Sequence, residues 1–221
     1  MANAVEKANT IAIASIQAIN GITDDNLQAL NGLEFTGTLP DSHTLIATAT
    51  ASSSATLAFT SGIDSTYDAY EFRCVNMHPA TDGTHFSFQV NATDGADFND
   101  SLITSTYFGA VHGEGDFSNM QYDGAHDLAQ QASHQRLIND VDATQAESSQ
   151  VIVLTLYAPS STTYVKHFTA VSSGLRDADY AYHNFAAGYI NDTTAIDEIS
   201  FKYESGNIDA GQIKMYGIAK A

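Results

Sequence analysis

The sequence has no tryptophan, a single cysteine, three prolines and only eight lysines and arginines in 221 residues. Each scarcity excludes something. One cysteine cannot close an internal disulfide, and Cys74, in the apolar-rich run YEFRCVNM, reads as a buried, inert thiol. A reactive cysteine wants a histidine partner and an electropositive setting, and these surroundings are acidic. Without further cysteines, without HExxH and without a histidine pair one helical turn apart, a zinc-type cluster lacks ligands. The eight histidines therefore read as exposed or hydrogen-bonded. No basic residue stands between Lys7 and Arg73, nor between Arg73 and Arg136, and 26 acids bring the net charge to −18. Such a surface repels phosphate backbones and anionic lipid, so neither nucleic acid nor a membrane is an expected partner. No apolar run approaches the ~20 residues of a membrane-spanning helix. The start MANAVEKANT has no basic stretch followed by an apolar core, so no secretory leader is expected. These features predict a soluble protein made in a reducing cytoplasm.

What is present favours strands. Tyr and Phe number 11 each, hydrophobic residues make up 43%, and Thr, Ser, Ala, Asp and Gly dominate the remainder. The length suits one large β-sandwich, with or without a short appendage. From about residue 43 the runs HTLIATATA, SATLAFTS, YDAYEFRCVNM, THFSFQVN and SLITSTYFGAV are separated by Ser-, Gly- and Asp-rich turns. In THFSFQVN, Phe86, Phe88 and Val90 fall on one face. VIVLTLYA is nearly continuous in apolar residues and predicts a central strand buried on both faces. TTYVKHFTAVS, DYAYHNFAAGYI, AIDEISFKYES and AGQIKMYGIAK follow, the last two as an antiparallel pair. About ten strands without βαβ alternation predict an all-β fold, a jelly-roll-like antiparallel β-sandwich over residues 36–221. Residues 112–148 are polar and read as a long loop or insertion, with room for a short helix at HDLAQQASHQRLIND.

Residues 1–35 read differently. In EKANTIAIASIQAIN, isoleucines recur about one turn apart, and Asn20-Gly21 resembles a helix end. Thr23-Asp24-Asp25 resembles a second start, and Asn31-Gly32 a second stop. A short helical N-terminal segment is the expectation, with Ile11, Ile13, Ile16, Ile19, Ile22, Leu27, Leu30 and Leu33 as its assembly or attachment residues. Helices this short need a surface to pack on, either their own β-domain or a neighbouring subunit.

Chemistry-bearing motifs are sparse. There is no G-x-S-x-G elbow and no Walker loop, and GAVHGEGDF has the wrong spacing for a dinucleotide site. With 26 acids some carboxylate pair always fits a glycosidase, so that signal discriminates nothing. The turn Asn91–Asp100 offers Asp94, Asp97, Asn99 and Asp100 as oxygen ligands of calcium type, but off the EF-hand spacing, so a plain turn is preferred. Tyr122, Tyr157, Tyr164, Tyr180 and Tyr182 suit sugar stacking, although most sandwich aromatics fill the core. No catalytic residue, metal or cofactor is expected.

The segment Tyr67–Ser87, YDAYEFRCVNMHPATDGTHFS, resembles a strand–turn–strand pattern of structural proteins of tailed-bacteriophage particles. So does the C-terminal stretch with Ile196, Ile199, Phe201, Ser205, Gly206, Asn207, Ile208, Gly211, Ile213, Met215, Tyr216, Gly217 and Ile218. The resemblance covers roughly residues 55–110 and 150–221. It implies a non-enzymatic tail, fibre or head-decoration subunit, localised to the virion, made in the host cytoplasm and partnered by other virion proteins. By the same analogy it implies a homo-oligomer, with a trimer favoured. The alternative is a carbohydrate-binding module for host-surface glycan. A polysaccharide-degrading enzyme is a third reading, without a nameable site.

Overall fold

The computed structural model describes residues 42–92, 97–98, 101–176 and 179–218, together with four two-residue strands nearer the N-terminus. The chain divides into two compact units, Met1–Ser42 and His43–Ala221.

In the first unit β1 (Ala18–Ile19) pairs antiparallel with β2 (Ile22–Thr23), and β3 (Ala29–Leu30) with β4 (Leu33–Glu34). This corrects the helical expectation: Ile19, Ile22, Leu30 and Leu33 belong to extended pairs. The physical reason lies in the residues between the strands. Both gaps are two residues long and both read Asn-Gly, the dipeptide that most favours a two-residue hairpin turn. The same dipeptide also ends helices, which is why the pattern misleads. Ile11, Ile13, Ile16 and Leu27 lie outside the described residues.

The second unit is all-β and antiparallel throughout, and its described residues contain no helix. Its strands are β5 (His43–Thr50), β6 (Leu57–Phe59), β7 (Ala69–Pro79), β8 (Thr84–Ala92), β9 (Ile103–Gly113), β10 (Ser118–Tyr122) and β11 (Ala129–Gln131). They continue as β12 (Gln135–Val141), β13 (Gln150–Tyr157), β14 (Lys166–Arg176), β15 (Tyr180–Ile190), β16 (Ile196–Tyr203) and β17 (Ile208–Ile218). The polar stretch 112–148 thus carries β10, β11 and β12. β12 contributes Leu137, Ile138 and Val141 to the core, a segment too short and too interrupted by polar residues to announce itself.

Hydrogen bonding runs β5-β17-β7-β13-β14-β15-β9, with β10 and β11 both on β9. A second run, β12-β8-β16-β6, joins the first through one pair, Val141 with Arg176. The two runs face each other, as ring contacts across the gap show. Phe72 on β7 meets Phe59 on β6 and Phe201 on β16, with centroids 5.7 and 5.5 Å apart, and Phe168 on β14 meets Phe88 on β8 at 5.0 Å. Phe201 sits at the hub, touching Phe59, Phe72, Phe86 and Phe88. Burial alternates with the period-2 pleat, so β13 buries Gln150, Ile152, Leu154 and Leu156 and turns the residues between them outward. Cys74 is buried in this core, and burial pushes its thiol far above the usual range.

Candidate functional site

Two features of the second unit stand out. The first is the outer face of β13, β14, β15, β9 and β10. Register carries one row straight across it: Val153, Val171, Phe185, Phe108 and Tyr122. The next row is Val151, Ser173, His183, Ala110 and Met120. The expectation that VIVLTLYA is buried on both faces is therefore overturned. Val151 and Val153 are 46% and 42% exposed, because nothing among the described residues covers this side. Among the described residues of these five strands, none that points outward is Asp, Glu, Lys or Arg. Charge returns only at β7, where Arg73, opposite Val153, is bonded to Glu71 at 2.6 Å. In a chain of net charge −18, an uncharged, largely apolar face of this extent contrasts with the acidic remainder.

The second feature is a polar cleft of about 480 Å³ between the outer side of β8 and β16 and the segment 124–134. Ser87 pairs with Arg136 on one side and Lys202 on the other, so three adjacent strands set these side chains in a row on its floor. Two fully buried glutamines hold the opposite wall. The Gln89 amide donates to the carbonyls of Ser101, Ala132 and Ser133 at 3.0–3.2 Å. Gln135 accepts from Ser105 Oγ at 2.5 Å and donates to the carbonyls of His126 and Arg136 at 3.1 and 2.9 Å. The cleft walls are thereby fixed by buried bonds rather than by a free loop.

The carboxylates around the cleft are already engaged. Glu204 takes Arg136 Nη2 at 2.8 Å, and Asp127 accepts the Tyr122 hydroxyl. Asp123 Oδ2 lies 2.7 Å from His126 Nδ1, off the line of a hydrogen bond, and Asp123 Oδ1 accepts the Ala125 N–H. Burial alone would raise the Asp123 carboxyl, but the His126 imidazole and the Ala125 amide hold it below its usual range. His85 Nδ1 accepts the Asp140 N–H at 3.0 Å, which leaves its proton on Nε2, facing Glu204 at 3.6 Å. Burial and the nearby Arg136 lower its basicity. His134 is lowered further, to about 4, by burial and then by the Lys202 ammonium.

The anticipated sites distribute unevenly. Tyr122, Tyr157 and Tyr164 are exposed, Tyr180 is half-buried and Tyr182 is buried. Of the candidate calcium turn only Asn91, Ala92, Asp97 and Phe98 are described, and Asp94, Asn99 and Asp100 lie outside the described residues. Among the described residues no three His, Cys, Asp or Glu side chains converge as a metal site. Sequence reasoning missed both the uncharged face and the cleft. No family model, curated protein or solved structure matches the chain.

Proposed function

We propose that this chain is a non-enzymatic structural subunit of a tailed-phage particle that assembles through the outer face of its larger sheet, and that the occupant of that face is a second copy of the chain. The observation that carries assembly is the uncharged apolar face on an otherwise strongly acidic protein. Two copies of charge −18 repel wherever their acids meet, and the described strands of this face turn no carboxylate of their own into the contact, Asp127 on Tyr122 and Asp116 beside His112 standing at its β9–β10 margin. Five strands at ~4.8 Å spacing give a face about 24 Å wide, enough for a weak, concentration-dependent interface rather than an obligate one. A face meeting its own copy generates a two-fold pair; the trimer that phage analogy favours would need this face to meet a different surface.

The particle reading is supported by the resemblance at β16 and β17 and by strand order. We read the unit as a jelly roll: β5-β17-β7-β13 in one sheet opposite β6-β16-β8-β12 in the other, with β9–β11 and β14–β15 as insertions that widen the first sheet. Jelly rolls serve viral capsid and lectin domains alike, so the fold by itself is an analogy. On this reading the protein is made in the host cytoplasm and resides in the virion. Residues 1–35 would be its attachment segment to other virion proteins.

Glycan binding is the second reading. Phe108 and Phe185 argue against placing it on the uncharged face, since their ring faces are turned to each other and only edges are offered to a ligand.

The deciding experiment is light scattering of the full chain over a concentration series, with Val153→Asp and Phe108→Asp beside it. Concentration-dependent association that either substitution abolishes supports the proposal. A chain that stays monomeric at millimolar concentration, or association indifferent to both substitutions, overturns it.

A further inference from the structure

We infer that the cleft between β8, β16 and the segment 124–134 binds a sugar bearing a carboxylate, a hexuronic acid or a short oligomer of one, with the carboxylate on Lys202 and Arg136 and the ring hydroxyls on the neutral polar wall. The inference is independent of self-association through the sheet face.

Bonding capacity in the cleft is met for its acids and unmet for its bases. The carboxylates that border the cleft are each spoken for: Glu204 by Arg136, Asp127 by Tyr122, Asp123 by His126 and the Ala125 amide. The cations keep spare donors. Lys202 lines the cleft, and its ammonium makes no hydrogen bond or ion pair with any described residue, in a chain with 26 acids to choose from. Arg136 uses Nη2 on Glu204 and Nη1 in a long 3.4 Å contact to the Ala125 carbonyl, which leaves further N–H groups of its five without an acceptor. What the site lacks is therefore an anion, and a forked guanidinium beside an ammonium suits a planar carboxylate.

The rest of the lining selects the body of the ligand. Gln131, Ser133 and the neutral His134 supply amide, hydroxyl and imidazole groups that donate and accept, Ser87, whose hydroxyl donates to the Lys202 carbonyl at 3.2 Å, adds an acceptor, and Leu128 is the one large aliphatic side chain among the lining residues. An aromatic or lipid ligand would find little apolar wall, whereas a polyhydroxylated ring exchanges water bonds for these groups at little loss. The volume, about 480 Å³, is that of a small-molecule site. The site is also built in advance, because Gln89 and Gln135 fix both ends of the wall from fully buried positions, so little ordering cost falls on binding.

The test is titration calorimetry of the full chain with D-galacturonate and D-glucuronate, and with their trimers. D-galactose, D-glucose, acetate and sulfate are titrated alongside. Saturable binding of a uronate is expected, at least about tenfold tighter than the matching neutral hexose and than acetate or sulfate, and weakened about tenfold or more by Lys202→Met. Lys202 has no partner to lose, so this variant keeps the fold, which circular dichroism checks; Ser87→Ala, expected to weaken binding severalfold, is the second variant. Absence of uronate binding, equal binding of the neutral sugar, or binding unchanged in both variants overturns the inference. Acetate or sulfate binding as tightly as the uronate also overturns it, by reducing the cleft to a simple anion site.

Discussion

Phe108 on β9 and Phe185 on β15 stand directly opposite each other, with centroids 5.0 Å apart and ring planes within 13° of parallel. Rings that close and that parallel cannot lie flat side by side on a sheet, so they stand up from it and cover each other's faces. His183 closes the group edge-on against Phe185 at 4.5 Å. The result is a rigid apolar ridge in the middle of a face without formal charge.

That arrangement predicts an unusual salt response. If copies meet across this face, the contact is apolar and the opposition comes from distant carboxylates, which salt screens. Raising sodium chloride from about 0.05 to 0.5 M, where the Debye length falls from roughly 14 to 4 Å, is expected to tighten association severalfold in sedimentation equilibrium. An interface held by ion pairs would weaken over the same range.

The buried glutamines predict where stability is concentrated. Gln135→Leu keeps the approximate volume but strips partners from the Ser105 hydroxyl and from the carbonyls of His126 and Arg136. Buried groups left unbonded cost about 1–3 kcal/mol each, partly relieved by water. A loss of roughly 2–4 kcal/mol in urea unfolding is expected, with faster hydrogen exchange confined to the 126–134 wall. A change under 1 kcal/mol would mean that the clamp is not what holds the wall.

The C-terminal motif has a structural cause that can be checked. Gly211 sits where β17 shifts register against β7, with φ at +123°, and a Cβ there would come 2.7 Å from Met77 Sδ and 2.8 Å from the Asn76 carbonyl oxygen. Gly211→Ala therefore combines a backbone conformation that side chains avoid with a clash, and about 1–3 kcal/mol or more of destabilisation is expected by thermal or urea unfolding. Gly115, with open space around it and no positive φ, is the control, and alanine there is expected to change little.

Much of the β-fold was legible because burial follows the pleat. THFSFQVN and AIDEISFKY place their aromatics inward as their alternation implies. The face was missed because an apolar run looks the same whether its second side is covered by protein or open. A usable signal was present in the distribution of acids: none occurs between Glu147 and Asp177, nor between Asp100 and Glu114, in a chain that has 26. Those windows supply β13, β14 and β9, three of the five strands of the uncharged face. The cleft was illegible for a different reason. Ser87, Arg136 and Lys202 meet only through sheet register, and no local pattern encodes a neighbour 49 or 115 residues away. The N-terminal segment failed on Asn-Gly, whose left-handed preference serves a helix end and a tight hairpin equally.

The histidines beside the cleft set the response to acid. His134 is held near 4 by burial and by Lys202, against about 6.5 when unfolded. His85 is lowered in the same direction, chiefly by burial. A base that is harder to protonate when folded binds fewer protons in the native state than in the unfolded state between those two values. Stability is thus fully present above about pH 6.5 and falls as pH drops toward 4. Burial would raise both Asp123 and Asp142, but the neighbouring His126 imidazole and the Ala125 N–H hold Asp123 below its usual value, and hydrogen bonds from Thr144 do the same for Asp142, so their share is kept until the pH falls below about 4 and is lost beneath it. The urea midpoint is expected to decline in two stages, first from pH 6.5 to 4 and then below 4. His134→Gln is expected to shrink the first stage to the share of His85 and leave the second. A wild-type profile flat from pH 7 to 4.5 would show that His134 titrates normally and is open to water, and with it the close packing of the cleft wall against Lys202 would fall.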